Sequence, residues 1–270
     1  MTRYTAMFER CQAANEGPFG AFLMLGDPDL DTSAALLDAL VEGGADMVEF
    51  GIPFSDPVAD GPVIQAAANR ALAAGVRTGP CLGLIAAFRS RHPSIPVGIL
   101  TYANIVAARG IEVFCTELAD AGVDSLLVAD VPSIEAAPYS AAARAAGIDL
   151  VMIAAPNTPR ETLAKIATLS SGYTYCVARA GVTGADAILS LDHQALFAAL
   201  GEVGAPPPIL GFGISSPDQV RQALDSGAAG VISGSAIVGR VAEGVDSVRS
   251  FVSSMKAATR PGFCKPDAMR

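Results

Sequence analysis

The chain has 270 residues, 51% of them hydrophobic, with a mean hydropathy of +0.42; this is long for one ordinary domain, within the range of a single α/β barrel, and enough for a large core. Eighteen basic against 27 acidic residues give a formal charge of −9 and a pI near 4.7, and without a basic cluster there is no nucleic-acid footprint. No apolar run reaches the roughly 18 residues of a membrane span.

In chain order, the opening MTRYTAMFERCQAANEGP has no apolar signal core, so a cytoplasmic location is expected, with a helix over about residues 2–15. Eight short apolar runs follow: 20–28, 46–53, 96–102, 124–132, 149–156, 173–179, 208–213 and 230–235. Most end in Gly, Pro, Asp or Arg. Between them lie stretches of helical character such as TSAALLDALVEGGA, EVFCTELADAGV and SPDQVRQALDSGA, several closing on a Gly–Ala or Ala–Gly pair that signals a helix C-cap. Near-continuous apolar strands alternating with amphipathic helices imply a parallel sheet covered on both faces. Eight such units without a second compositional region predict one (β/α)8 TIM barrel spanning 1–270, with an extra N-terminal helix and a loose tail over about 260–270. The interval 51–96 is much longer than the others.

In such barrels the chemistry sits at the C-terminal strand ends and the loops beyond. Alternation along the second strand puts Val48, Phe50 and Ile52 on one face and Met47, Glu49 and Gly51 on the other. Glu49 therefore points into the barrel near its rim. Such a glutamate either pairs with an arginine or is a general acid/base whose pKa its apolar cage raises; the rarity of buried glutamate favours the second. Asp56 and Asp60 lie on the following loop, where solvated turn chemistry is the plain alternative. It is weaker for Asp60, beside Gly61 and within reach of the mouth.

GFGISSP (211–217) and SGSAIV (233–238) end the seventh and eighth strands with glycines and serines at helix starts. Glycines let backbone N–H groups approach an anion and the helix dipole favours negative charge. RAGVTGAD (179–186) is a third glycine-bearing loop, long enough to close over a ligand. Three such loops on consecutive strands point to a phosphorylated substrate, though each glycine alone fits an ordinary turn. Phe22, Leu100, Leu127, Ala129, Ile153, Tyr175 and Phe212 fall near strand ends; core packing is the default for each, and together they could receive a flat apolar group.

Absences narrow the chemistry further. The lysines, Lys165, Lys256 and Lys265, lie in helices or the tail, so none stands ready for a Schiff base. His92 and His193 lie away from strand ends, which argues against a His-ligated catalytic metal. The five cysteines, Cys11, Cys81, Cys115, Cys176 and Cys264, are scattered without CxxC spacing and read as reduced thiols. What remains is carboxylate acid/base catalysis on a phosphorylated, partly apolar substrate with no cofactor.

At EFGIPFSDPVADGPVIQ (49–65) the chain resembles the α subunit of tryptophan synthase, a (β/α)8 barrel family. LGDP (25–28), TYANIV (101–106), LLVADVP (126–132), RAGVTG (179–184), GFGISSPDQV (211–220) and SGSAIV (233–238) follow the same family's order and cover nearly the whole chain. The resemblance implies retro-aldol cleavage of indole-3-glycerol phosphate to indole and glyceraldehyde 3-phosphate. It assigns Glu49 as the acid/base and Asp60 as the carboxylate that stabilises positive charge on the ring nitrogen. It places phosphate on Gly184, Gly213, Gly234 and Ser235, and indole among the seven apolar residues above. Arg179 and Thr183 would belong to the closing loop, with Thr183 meeting Asp60. Pro53 and Asp56 would face a β subunit that carries pyridoxal phosphate, in an α2β2 complex; no metal is implied. Met24, Ala107 to Arg109 and Ala185–Asp186–Ala187–Ile188 depart from the family's usual residues. Three other readings stay open: an isomerase of a phosphorylated sugar, a stand-alone lyase releasing free indole, and a non-enzymatic scaffold that activates a partner.

Overall fold

The computed structural model describes residues 1–177 and 192–261. Nine strand segments form one parallel sheet: β1 (Phe19–Met24), β2 (Met47–Gly51), β3 (Val97–Thr101), β4 (Ser125–Val128), β5 (Asp149–Leu150), β6 (Ile153–Ala154), β7 (Thr174–Val177), β8 (Pro208–Gly211) and β9 (Gly230–Ser233). The helices are α1 (Arg3–Ala13), α2 (Leu30–Glu42), α3 (Pro62–Ala73), α4 (Thr78–Arg91), α5 (Ala103–Arg109) and α6 (Ile111–Asp120). They continue with α7 (Ala137–Ala146), α8 (Arg160–Leu169), α9 (Asp192–Glu202), α10 (Pro217–Asp225), α11 (Ser235–Val238) and α12 (Val245–Ala257). Helices cover a sheet whose strands are buried almost throughout, as a parallel sheet requires. The result is a TIM-barrel-like α/β fold. The long interval 51–96 holds two helices, α3 and α4, which accounts for its length. Among the described residues no single helix is long and apolar enough to cross a membrane.

The strand order is β5-β4-β3-β2-β1-β9-β8-β7-β6. Its two ends, β5 and β6, are separated in sequence by Val151 and Met152 alone, so the sheet curls round on itself. The expected fifth strand is thus two short segments: β5 pairs with β4, β6 with β7. Val151 N–H still bonds Leu126 O at 2.9 Å on one side, while Tyr175 N–H bonds Met152 O at 3.0 Å on the other. The chain changes neighbours within two residues. DLVMIA carries no Gly or Pro at that point, so nothing local marks the break.

Aspartates at strand starts tie the base of the sheet together. The Asp46 carboxylate accepts from Phe19 N–H at 2.9 Å and that of Asp124 from Val97 N–H at 2.8 Å, each bridging to a neighbouring strand. Asp46 is also ion-paired with Arg10 of α1 at 2.9 Å and Lys256 of α12 at 2.7 Å. Lys256 reaches Glu16 at 2.8 Å, and Arg260 reaches the same carboxylate at 3.2 Å. The first and last helices are therefore clamped to the sheet beneath its N-terminal end. Cys11, Glu16 and Asp46 bring ligand-type atoms within 4.8 Å of one another, but the Lys256 ammonium already sits on both carboxylates.

Candidate active site

Strand register sets one row of side chains across the interior: Phe22, Glu49, Gly98 and Ser125 are successive partners on β1 to β4. Glu49 is 1% exposed. Next to it, Gly98 leaves a space that a side chain would fill: a Cβ there would lie 3.0 Å from Ser125 Oγ, 3.3 Å from Tyr4 Oη and 3.7 Å from Tyr173 Oη. Three hydroxyls thus converge beneath the glutamate. Tyr4 of α1 and Ser125 are hydrogen-bonded at 2.7 Å, and Tyr173 donates to Glu49 Oε1 at 3.0 Å. Glu49 Oε2 is buried without a hydrogen-bond partner among the described residues.

Burial pushes the Glu49 carboxyl up to about 7; the Tyr173 hydrogen bond partly offsets this and the nearby charge of Asp60 adds to it. Near neutral pH the group is therefore populated in both forms, the condition for giving and taking a proton. With Oε1 accepting from Tyr173, the proton of the neutral acid belongs on Oε2.

Asp60 sits at the end of the β2–α3 loop, just before Gly61 and Pro62 open α3. A proline at the first helical position fixes that entry. Asp60 N–H bonds Pro57 O at 3.1 Å, and Gln65 Nε2 holds Asp60 O at 2.7 Å, locking the turn. The side chain is turned inward, 6% exposed. Burial pushes its pKa up to about 6, opposed by the Tyr102 hydroxyl.

Both carboxyls line one cavity of about 460 Å³ between protein atoms, part of it open to solvent. Phe22, Ile64, Leu100, Tyr175 and Phe212 form its apolar wall; Gly213, Ile214, Ser215, Gly234, Ser235 and Ala236 form another side. Gly211 permits this arrangement, because the Tyr175 ring and hydroxyl lie across the place its side chain would take. Phe212 packs edge-on to Tyr175 at 5.5 Å and holds a left-handed backbone at φ 61, a strained state found at sites. The short α11 starts at Ser235, and first-turn amides have no partner inside their own helix.

The cavity thus gathers nine of the residues singled out in the sequence: Phe22, Glu49, Asp60, Leu100, Tyr175, Phe212, Gly213, Gly234 and Ser235. Three apolar candidates lie elsewhere. Leu127 is buried in the row beside Leu100, while Ala129 and Ile153 line a separate cleft with Val131, Met152 and Ile166. The cause is the divided fifth strand, which leaves β4 and β6 unpaired above Leu126. Pro53 is buried in the chain, whereas Asp56 is exposed and bonded to Ser55 Oγ at 2.6 Å. Arg179, Thr183, Gly184 and positions 185–188 lie outside the described residues. Ile64, Tyr102 and Tyr173 were not singled out. Tyr173 could have been found by alternation, two residues below Tyr175 on the same inward face.

A fold of this type that places tuned carboxyls on a partly apolar cavity defines an acid–base enzyme for a small molecule. The family model described as tryptophan synthase alpha chain matches residues 8–264. The tryptophan synthase alpha chain of Shewanella amazonensis is 52% identical over 266 residues, covering 96% of this chain and 100% of that one; that of Aeromonas hydrophila is 50% identical over 267 residues, covering 96% and 99%. The tryptophan synthase structure of Mycobacterium tuberculosis superposes with a TM-score of 0.90 at 34% identity, covering 97% of this chain and 99% of that one. The chain belongs to the tryptophan synthase alpha chain family, the indole-3-glycerol phosphate-cleaving lyases of tryptophan biosynthesis. The alpha chain of that family carries no cofactor; pyridoxal phosphate belongs to the beta chain.

Proposed function

We propose that Glu49 carries out both proton transfers of the cleavage. The bond between indole C3 and the glycerol side chain breaks as C3 gains a proton and the adjacent side-chain hydroxyl loses one, leaving a carbonyl. Glu49 gives the first proton from Oε2 and takes up the second, so it ends each turnover as it began. Protonated C3 leaves positive charge on the ring nitrogen, and Asp60, ionised above about pH 6, stabilises it. Phe22, Leu100, Tyr175 and Phe212 hold the ring; Gly213, Gly234 and Ser235, with Gly184, hold phosphate through backbone N–H groups. Leu127, beside Leu100, and Ile153, beside Tyr175, extend the apolar side of the site towards Ala129. The observation that carries this reading is the pair of buried carboxyls, both raised toward neutrality, on one cavity with an apolar wall. Asp60→Asn is expected to lower kcat/KM for indole-3-glycerol phosphate by about a hundredfold or more, the scale of one lost electrostatic group, with the fold intact by circular dichroism.

The partner is a beta chain bearing pyridoxal phosphate, in an α2β2 complex in the cytoplasm. Val58, 71% exposed, and Ile134, 75% exposed, are large apolar side chains on loops following β2 and β4, so both lie on the rim with Asp56, while Pro53 is buried. Residues 149–154 count as one interrupted strand, giving a single-domain (β/α)8 barrel with α1 as an extra helix; the tail expected over about 260–270 lies almost wholly outside the described residues. The test is indole release from indole-3-glycerol phosphate by the purified chain, with and without the cognate beta chain. Slow release alone and a large acceleration with partner support this reading; fast release indifferent to partner would make the chain an independent lyase instead.

A further inference from the structure

Tyr102 closes β3 and opens α5, and its side chain is 2% exposed. Its ring stacks on Phe54 of the β2–α3 loop with centroids 5.5 Å apart and planes 28° from parallel. Its hydroxyl faces Asp60 yet completes no hydrogen bond of normal geometry with any described residue. A buried phenol oxygen without a completed bond is costly. Among the described residues, the polar groups closest in influence on that hydroxyl are the Asp60 carboxylate and the Ala59 backbone beside it.

We infer that Tyr102 is the positioning residue for Asp60: its hydroxyl donates to the Asp60 carboxylate and keeps it ionised and aimed at the ring nitrogen of the substrate. This rests on the assignment of Asp60 made above. Burial alone favours the neutral acid, which would lose its negative charge and with it the power to stabilise the cationic ring. A donor to the charged form opposes that, and the phenol is the donor within reach. The Phe54 stack holds the ring in place, so the hydroxyl has a fixed direction while the loop bearing Asp60 comes to it.

Tyr102→Phe isolates the hydroxyl, because the ring and its stack on Phe54 remain. In the variant the Asp60 pKa rises, so the acid limb of kcat/KM for indole-3-glycerol phosphate is expected to move up by about one pH unit. Activity at pH 6 then falls about fivefold while that at pH 8.5 stays within about twofold, as a one-unit shift dictates. Carboxyl 13C NMR of the full chain, with the Asp60 signal located by its loss in Asp60→Asn, reads the same shift without turnover. An unmoved acid limb and an unmoved Asp60 titration, or an equal loss at every pH, would overturn the inference. Parent-like rates in Asp60→Asn would instead overturn the role of Asp60, a failure distinct from that of Tyr102.

Discussion

Glu49→Gln is expected to reduce indole release by about a thousandfold, within the range that a general acid–base group supplies, and yet to make the folded chain more stable at alkaline pH. The two effects share one cause. The folded-state pKa of Glu49 is raised from 4.5 to about 7, so the folded chain holds this proton more tightly than the unfolded one does. That preference is fully present below the unfolded value and is lost as pH rises through 7. Between pH 4.5 and 8.5 the parent therefore gives up about 3 kcal/mol that the neutral glutamine does not. Urea denaturation of parent and variant at the two pH values measures the difference. Parallel pH dependence would mean that the fold does not hold Glu49 neutral.

Lys256→Met is expected to cost about 3 kcal/mol, with no change in KM. Lys256 lies between Asp46 and Glu16, whose side chains are 3% and 11% exposed. Removing the cation leaves two carboxylates with less compensation, and breaking a buried pair on one side costs about 3–5 kcal/mol. Arg10 and Arg260 remain as partners, which puts the loss at the lower end. Arg260→Ala, at a side chain 67% exposed, should cost under about 1 kcal/mol. Equal losses in the two variants would show that burial of the cluster contributes nothing.

What could be read from the sequence was what periodicity governs. Glu49 is inward because strand side chains alternate, and Asp60 is near the mouth because its loop follows that strand. Of the nine candidates that share the cavity, all but Asp60, at the far end of its loop, sit on strands or on the turns just after them. What escaped was set by partners distant in sequence. Val151 and Met152 look like the middle of a strand, and only the two neighbours on either side divide it. That division is why Ala129 and Ile153 face a different cleft. Tyr102 looks like an ordinary strand-terminal aromatic until Phe54 is seen stacked on it. Ile64 lies on a helix, where the apolar stripe reads as packing and gives no sign that one position reaches the cavity.

The hydroxyl of Tyr4 has a consequence for how dry the floor of the site stays. Losing that side chain, as in Tyr4→Ala, would leave Ser125 without its 2.7 Å partner and the space beside Gly98 open from below. Water entering there would reach Tyr173 and Glu49 from the side opposite the ligand and return the acid toward its solvated strength. A helix that precedes the first strand is thus, through Tyr4, part of what keeps the catalytic proton in place.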